Sequence, residues 1–253
     1  MPHVDNTATS EMSLDPAAAS AVEAQPQKRR KGLQDKVYTQ LKHGLMIGAF
    51  VPGQTITLRK LAQTLGTSPM PVREAIAQLV TANVLEIQPN GSVCVPRLTE
   101  ARFNEITLVR KSLEGMAASE AVAYSSSKLI KQLDRINKEL LNAIKTRDIL
   151  GCLSKNQEFH FTLYRAYPSE VLIPLIETLW LQAGPIMYFS LSAPDTNWDA
   201  SVHEEILAAL AAKDPVAIRQ AVEKDIAGTA RYLLQSSIFR AESGPIMQLR
   251  LND

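Results

Sequence analysis

Apolar side chains recur at three- and four-residue intervals along most of this chain. Val37, Leu41 and Leu45 share one face of a stretch running from residue 33 to 47, which predicts an amphipathic helix closed by Gly48. A turn at Val51, Pro52, Gly53 and Gln54 and a short extended piece follow. Leu58, Leu61, Ala62 and Leu65 then make a second apolar face that Gly66 ends. Thr67 and Ser68 are suited to cap the next helix, and Pro71 to sit in its first turn, with Val72, Ala75, Ile76 and Leu79 as its apolar side. The period then changes. Val84, Leu85 and Ile87 are strand formers, Pro89, Asn90 and Gly91 are a hairpin signal, and residues 93–95 are strand formers again. Three helices backed by a β-hairpin predict a winged helix-turn-helix, a motif whose second helix of the pair enters the DNA major groove.

From Thr99, a good helix cap, the pattern is helical almost throughout, with helices expected over residues 99–125, 128–146, 148–166, 169–191, 198–213 and 215–237. Pro174 falls in the first turns of its helix, whereas Pro185 lies well inside and should break or kink it. The expected fold class is mainly α: an N-terminal winged helix-turn-helix followed by an all-helical bundle. The expected division is a disordered tail and basic arm (1–32), the winged domain (33–97), the bundle (98–240) and a loose tail (241–253).

The net charge of +1 hides an asymmetry: residues 1–27 carry four acids and no bases, residues 28–100 ten bases and four acids, and residues 101–253 seventeen bases and eighteen acids. The basic block coincides with the winged domain, which favours a polyanion partner for that part. Lys28, Arg29, Arg30 and Lys31 read either as a solubilising run or as an arm for phosphate or minor-groove contact. Cys94 and Cys152 lack CxxC spacing and read as reduced thiols of a cytoplasmic protein. No apolar run is expected to reach the ~20 residues of a membrane span, and the N-terminus does not read as a secretory signal.

Two groups of residues carry candidate chemistry. Arg59 opens the first helix of the pair and Arg73 sits in the first turn of the second, where a guanidinium can grip guanine or phosphate through two hydrogen bonds; solvated helix charges would give the same pattern. In the bundle, Asn156 and His160 are four residues apart on one helix, while His203 and Asp225 stand on two later helices that can be antiparallel neighbours. The four side chains can converge inside the bundle as a metal site, although an interior histidine and one near a helix start would also explain His160 and His203.

The order PGQ, LRKLAQTLGTS, PVREAIAQL, VLEIQPNG over residues 33–97 resembles the DNA-binding domain of the GntR family of bacterial transcription regulators. The resemblance implies DNA contact by Arg59, Ser68, Pro69, Met70, Pro71 and Arg73, and by the wing tip at Asn90 and Gly91. Two family cations are replaced: Pro69 stands where arginine is frequent, and the tip reads Pro89, Asn90, Gly91, Ser92 rather than P-N-R-G. Weaker, less salt-sensitive binding than in relatives is the expected result.

Residues 99–238 resemble the FCD ligand-binding domain of the FadR-like branch, on Arg110, Leu113 and Glu114, on Asn156 with Phe159 and His160, and on His203 through Asp214. That family commonly holds a metal on Asp or Asn and three histidines. Asn156, His160 and His203 match, and Asp225 stands where the third histidine is expected. The implied cofactor is a divalent metal, zinc, with nickel or manganese as alternatives. The implied effector is a small carboxylate, bound by the metal and Arg110 with Glu114 and Tyr164 nearby; Trp180, Gln182 and Tyr188 are further candidates for the lining. An ordinary i,i+4 pair of Arg110 with Glu114, worth a few tenths of a kcal/mol, is the plainer alternative. The reading is thus a homodimeric, ligand-responsive regulator on double-stranded, pseudo-palindromic operator DNA, not an enzyme. Its alternatives are a metal-dependent hydrolase or lyase with an accessory winged domain, and a metal-free acyl-thioester sensor of the same branch.

Overall fold

The computed structural model describes residues 32–191 and 201–239. The acidic N-terminal segment, the basic arm at Lys28 to Lys31, the joint near Asp195 and the tail from Gly244 lie outside the described residues.

The head is built in the expected order. Helix α1 covers residues 32–46. It is followed by β1 (Thr55–Ile56), α2 (Leu58–Thr64), α3 (Pro69–Thr81), β2 (Glu86–Ile87) and β3 (Val93–Cys94). The three short strands form an antiparallel sheet in the order β1-β3-β2, with Thr55 and Glu86 both opposite Cys94. Gly66, at φ +59°, ends α2 in a Schellman motif, since Thr67 N–H donates to Ala62 O and Gly66 N–H to Gln63 O.

Three local expectations change. Ser68 occupies the N-cap position of α3, but its hydroxyl makes no capping bond. Pro71, at the third helical position, removes one of the two N–H groups such a cap would serve. Val84 and Leu85 do not join the ladder. Their N–H groups turn back to Leu79 O, and both side chains are buried beneath α3. Pro185 does not break its helix, which continues to Met187 and then tightens into a 3-10 turn at Tyr188–Ser190.

The bundle comprises α4 (Glu100–Ala121), α5 (Ser127–Thr146), α6 (Ile149–Tyr164), α7 (Leu172–Met187), α8 (Ser201–Ala212) and α9 (Pro215–Gln235). Its joints are capped by side chains, at Thr99 as expected: Thr99 accepts from Arg102 N, Ser126 from Leu129 N, and Asp148 from Gly151 N. Helix α4 runs against α9, α7 and α6, while α5 packs on α6 and α8, and α8 on α9. The stretch Leu172–Ser190 is long and apolar enough by composition to cross a membrane, contrary to expectation, but 61% of it is buried within the fold. Its apolarity is that of the bundle's core helix.

Helix α7 also receives the head. Lys42 of α1 pairs with Glu177 at 2.6 Å, and Arg165 joins the same carboxylate at 2.8 Å. Burial alone would raise the Glu177 carboxyl, but the two cations hold it below its ordinary value. One turn or two further along, the backbones touch. A Cβ on Gly184 would collide with the Leu45 carbonyl oxygen and come within 2.7 Å of Met46 Cα. Gly48, at φ +69°, faces the Gly184 carbonyl and Tyr188 from the other side.

Gly184→Ala should therefore lower stability by about 1–3 kcal/mol through overpacking. Gly228→Ala on α9, where nothing lies within 4 Å of the new methyl, should raise it by about 0.5–1 kcal/mol. Urea unfolding of the two variants beside the parent protein measures both.

Candidate metal centre and effector cavity

On α4, positions 103, 106, 110, 114, 117, 118 and 121 form the buried face, and two of them are Arg110 and Glu114. A charged pair thus occupies the middle of a stripe that helical periodicity assigns to the core. Glu114 is fully buried and Arg110 nearly so. Arg110 Nε donates to Glu114 Oε1 at 2.6 Å, and Arg110 Cζ lies 4.6 Å above the Trp180 ring. Glu114 Oε2 accepts two more bonds, from Tyr164 O–H and Trp180 Nε1, each at 2.9 Å. The pair is therefore the anchor of a buried network rather than a solvated surface bridge.

Helix α6 brings in the second half. Asn156, His160 and Tyr164 follow one another at four-residue spacing and are all buried. His160 Nδ1 is 3.0 Å from Tyr164 Oη, and His160 Nε2 is 3.1 Å from Asp225 Oδ2 on α9. Since the only proton of Tyr164 goes to Glu114, its oxygen accepts from His160 Nδ1–H. The facing Nε2 and carboxylate are then reconciled either by a second proton on the ring or by a cation between them.

His203 of α8 completes the cluster. Its Nδ1 lies 3.1 Å from Asn137 Oδ1, so Nδ1–H donates and Nε2 keeps its lone pair. Phe159 stacks on the imidazole at 4.1 Å between centroids, 4° from parallel. Burial pushes the His203 imidazole down to about 4, despite the opposing Asp225 charge, so it is neutral, as a metal ligand must be. Burial would raise the Asp225 carboxyl, but the His160 hydrogen bond and the nearby His203 and Arg110 hold it below its ordinary range. Burial and the Glu114 charge drive the Tyr164 hydroxyl well up, so it remains a donor.

One donor atom each from His160, His203 and Asp225 lie within 4.8 Å of one another. Asn156 Oδ1 is buried without a hydrogen-bond partner, and Asn156 lines the same cavity as His160, Asp225 and Arg110. His203 does not line that cavity, but its imidazole lies within 4.8 Å of His160 and Asp225; an orphaned amide oxygen in the cavity of this cluster fits a divalent cation. The cavity is small, about 20 Å3, room for one water-sized particle. Phe103 and Thr107 of α4, Met187 of α7, and Ile226, Thr229 and Ala230 of α9 form its other walls. Glu114 and Tyr164, expected near the effector, do not line it; they stand one hydrogen bond behind Arg110 and His160. Asn137 carried a signal that the sequence reading missed: an amide within the buried stripe Leu133, Ile136, Leu140 of α5.

On the head, Arg59, Ser68, Pro69, Met70 and Arg73 are exposed and Pro71 is half-buried. Arg73 and Met70 lie on the side of α3 opposite Val72, Ala75, Ile76 and Leu79. Asn90 and Gly91 are exposed at the wing tip, but Asn90 Oδ1 is taken up by Ser92 N–H at 3.0 Å and Ser92 O–H at 2.7 Å. Its side chain shapes the turn, with Gly91 at φ +78°. Cys94 and Cys152 are buried free thiols.

A winged helix-turn-helix joined to a helical domain with a buried polar centre defines a DNA-binding regulator with a sensor domain. Residues 33–95 match the bacterial regulatory proteins, gntR family, and residues 105–228 match the FCD domain. The HTH-type transcriptional regulator McbR of Escherichia coli K12 is 32% identical over 182 residues, 71% of this chain and 82% of that protein. A solved structure of E. coli McbR/YncC has a TM-score of 0.75 at 30% identity, covering 80% of this chain and 97% of that one. The HTH-type transcriptional repressor RspR of E. coli K12 is 20% identical over 77% of this chain and 86% of that protein. A putative GntR regulator from Rhodococcus sp. RHA1 shares the fold, with a TM-score of 0.66 at 20% identity, over 80% of this chain and 98% of that one. The chain belongs to the GntR family of transcription regulators, with an FCD domain, and is not an enzyme; the hydrolase or lyase alternative falls on that ground.

The depressed His203 titration has a sign that can be measured in metal-free protein. The folded state refuses a proton that the unfolded chain accepts near pH 6.5, so stability is complete above that pH. It declines as pH falls from 6.5 toward about 4, by roughly 3 kcal/mol in all. Unfolding free energies across that range should show the slope, and His203→Gln should flatten it.

Proposed function

We propose that this regulator senses a small organic acid through a divalent metal, zinc in the first instance, held by Asn156, His160, His203 and Asp225. The observation that carries this reading is the unpartnered Asn156 Oδ1 facing the same cavity as His160 and Asp225. A bound cation supplies a Lewis-acidic position for an anionic ligand. Arg110, which lines the cavity, supplies the second contact for its carboxylate. Asn156 and Asp225 together leave the ligand set with a single negative charge, as an Asp with three histidines would. Four polar side chains at the centre speak against a metal-free acyl-thioester sensor, which needs an apolar tunnel.

The small cavity implies that an organic acid must displace a wall to enter. Phe103 and Met187 of that wall belong to the same apolar cluster as Ile47, Ala49 and Val51, which follow α1 of the head. A ligand that moves the wall therefore biases how the head is held, to the extent that it prefers one arrangement. Leu108, Val109 and Met116 of α4 and Val171 and Leu175 beside or on α7 are exposed. They support a homodimer through these helices, which sets two heads on a pseudo-palindromic operator in the cytoplasm. Arg59 and Arg73 contact the DNA, with Ser68, Pro69, Met70, Pro71, Asn90 and Gly91 around them.

The test is a duplex enriched by the protein from a random pool, titrated with and without zinc and small carboxylates. Arg73→Ala should weaken binding about 10–100-fold and relax specificity at one position. Added carboxylate should change operator affinity only in zinc-loaded protein, and not in His160→Ala. Equal binding by Arg59→Ala/Arg73→Ala and the parent would remove the DNA reading; a carboxylate response that survives His160→Ala would remove the metal.

A further inference from the structure

The geometry points to Glu114 as a positioning residue for the metal centre, acting through Tyr164 on His160. This rests on the metal reading above and extends it to a residue that touches neither cation nor effector. Glu114 has no exposed surface and accepts from three helices at once: Arg110 of α4, Tyr164 of α6 and Trp180 of α7. Because Tyr164 gives its proton to Glu114 Oε2, its oxygen is fixed as an acceptor 3.0 Å from His160 Nδ1. That fixes the His160 tautomer with Nδ1–H outward and turns Nε2 toward Asp225.

The chain from carboxylate to phenol to imidazole is a lengthened form of the carboxylate–histidine arrangement that orients metal ligands and raises their basicity. The negative charge is what matters. A charged carboxylate draws the phenol proton toward itself, makes the phenol oxygen a stronger acceptor, and so strengthens Nε2 as a donor. Glu114 is at the same time the partner of Arg110. One side chain therefore sets both the pose of the guanidinium that faces the cavity and the donor strength of a metal ligand.

The test is zinc affinity, measured on the full chain by competition with a chromophoric chelator, for the parent, Tyr164→Phe, Glu114→Gln, the double variant and His160→Ala. Tyr164→Phe and Glu114→Gln should each weaken zinc binding about 10–100-fold, and the double variant should be no weaker than the worse single one, since both cut the same chain. Leu79→Ala, destabilised within the core of the head and away from the metal centre, should keep the parent's zinc affinity; a parallel loss there would mean that affinity merely follows stability and would overturn the proposal. Parent-like zinc binding in Tyr164→Phe, or additive effects in the double variant, would also overturn it. Glu114→Gln leaves Arg110 buried without a countercharge, and if it does not fold, Tyr164→Phe alone decides. If the parent and His160→Ala bind zinc alike, the metal reading itself fails and this inference falls with it.

Discussion

The constraint on which the bundle depends is the cost of keeping charge inside it. Arg110, Glu114, His160 and His203 are withdrawn from water among leucine, isoleucine and phenylalanine side chains, where an unpaired ion costs several kcal/mol. The fold meets that cost by pairing: Arg110, Tyr164 and Trp180 all donate to Glu114, and Asn137 and Asp225 face the two imidazoles at the outer ends. Well-packed apolar side chains of similar volume are often as stabilising as a buried ion pair. On the proposed reading the network is kept for the site it surrounds, where Asn156 Oδ1 is an acceptor without a partner.

The same constraint explains how the centre reaches the head. A buried polar network resists continuous deformation, so a change at its edge must appear as displacement of the apolar groups that seal it. Helix α7 carries three such groups on one rod: Trp180 against Glu114, Gly184 against the backbone of α1, and Met187 between the cavity and the head cluster. The glycine lets the two backbones approach without side chains that might yield. Close backbone contact, the Lys42–Glu177 pair and the shared cluster together make the head a packed part of the bundle's surface rather than a tethered neighbour.

Much of this was legible in the sequence because helical periodicity is a local signal. The cap at Thr99, the glycine corner at Gly66 and the turn at Asn90 and Gly91 follow from residue chemistry alone. So does the presence of Arg110 and Glu114 on the inner face of α4, once the stripe is counted. What was not legible depends on distance in space. Nothing in the local pattern tells that Trp180 and Tyr164 meet at one carboxylate oxygen, or that Asn137 finds His203 from 66 residues away. The unused Ser68 cap has a local cause, since Pro71 takes away a donor that the hydroxyl would serve. The apolar length of α7 exceeds the sequence expectation because its polar members are few and spaced within a long core helix.

The replacements in the two domains are of different kinds, and the difference bears on how the protein works. In the sensor, Asn156, His160 and His203 match the set that the resemblance implies and Asp225 stands where a third histidine is expected, so the set carries one negative charge, as it would with Asp and three histidines. Asp225 now faces His160 directly, which ties α6 to α9 by an ion-pair geometry that a third imidazole would not give. In the head, Pro69 and the wing tip lack two cations that the resemblance leads one to expect. Each removed phosphate contact lowers non-specific affinity and its salt slope. On the proposed reading, a head with a weaker hold on DNA depends more heavily on being presented in the right pose. A given displacement at the α7 contact then changes operator occupancy more than it would for a head that binds tightly on its own.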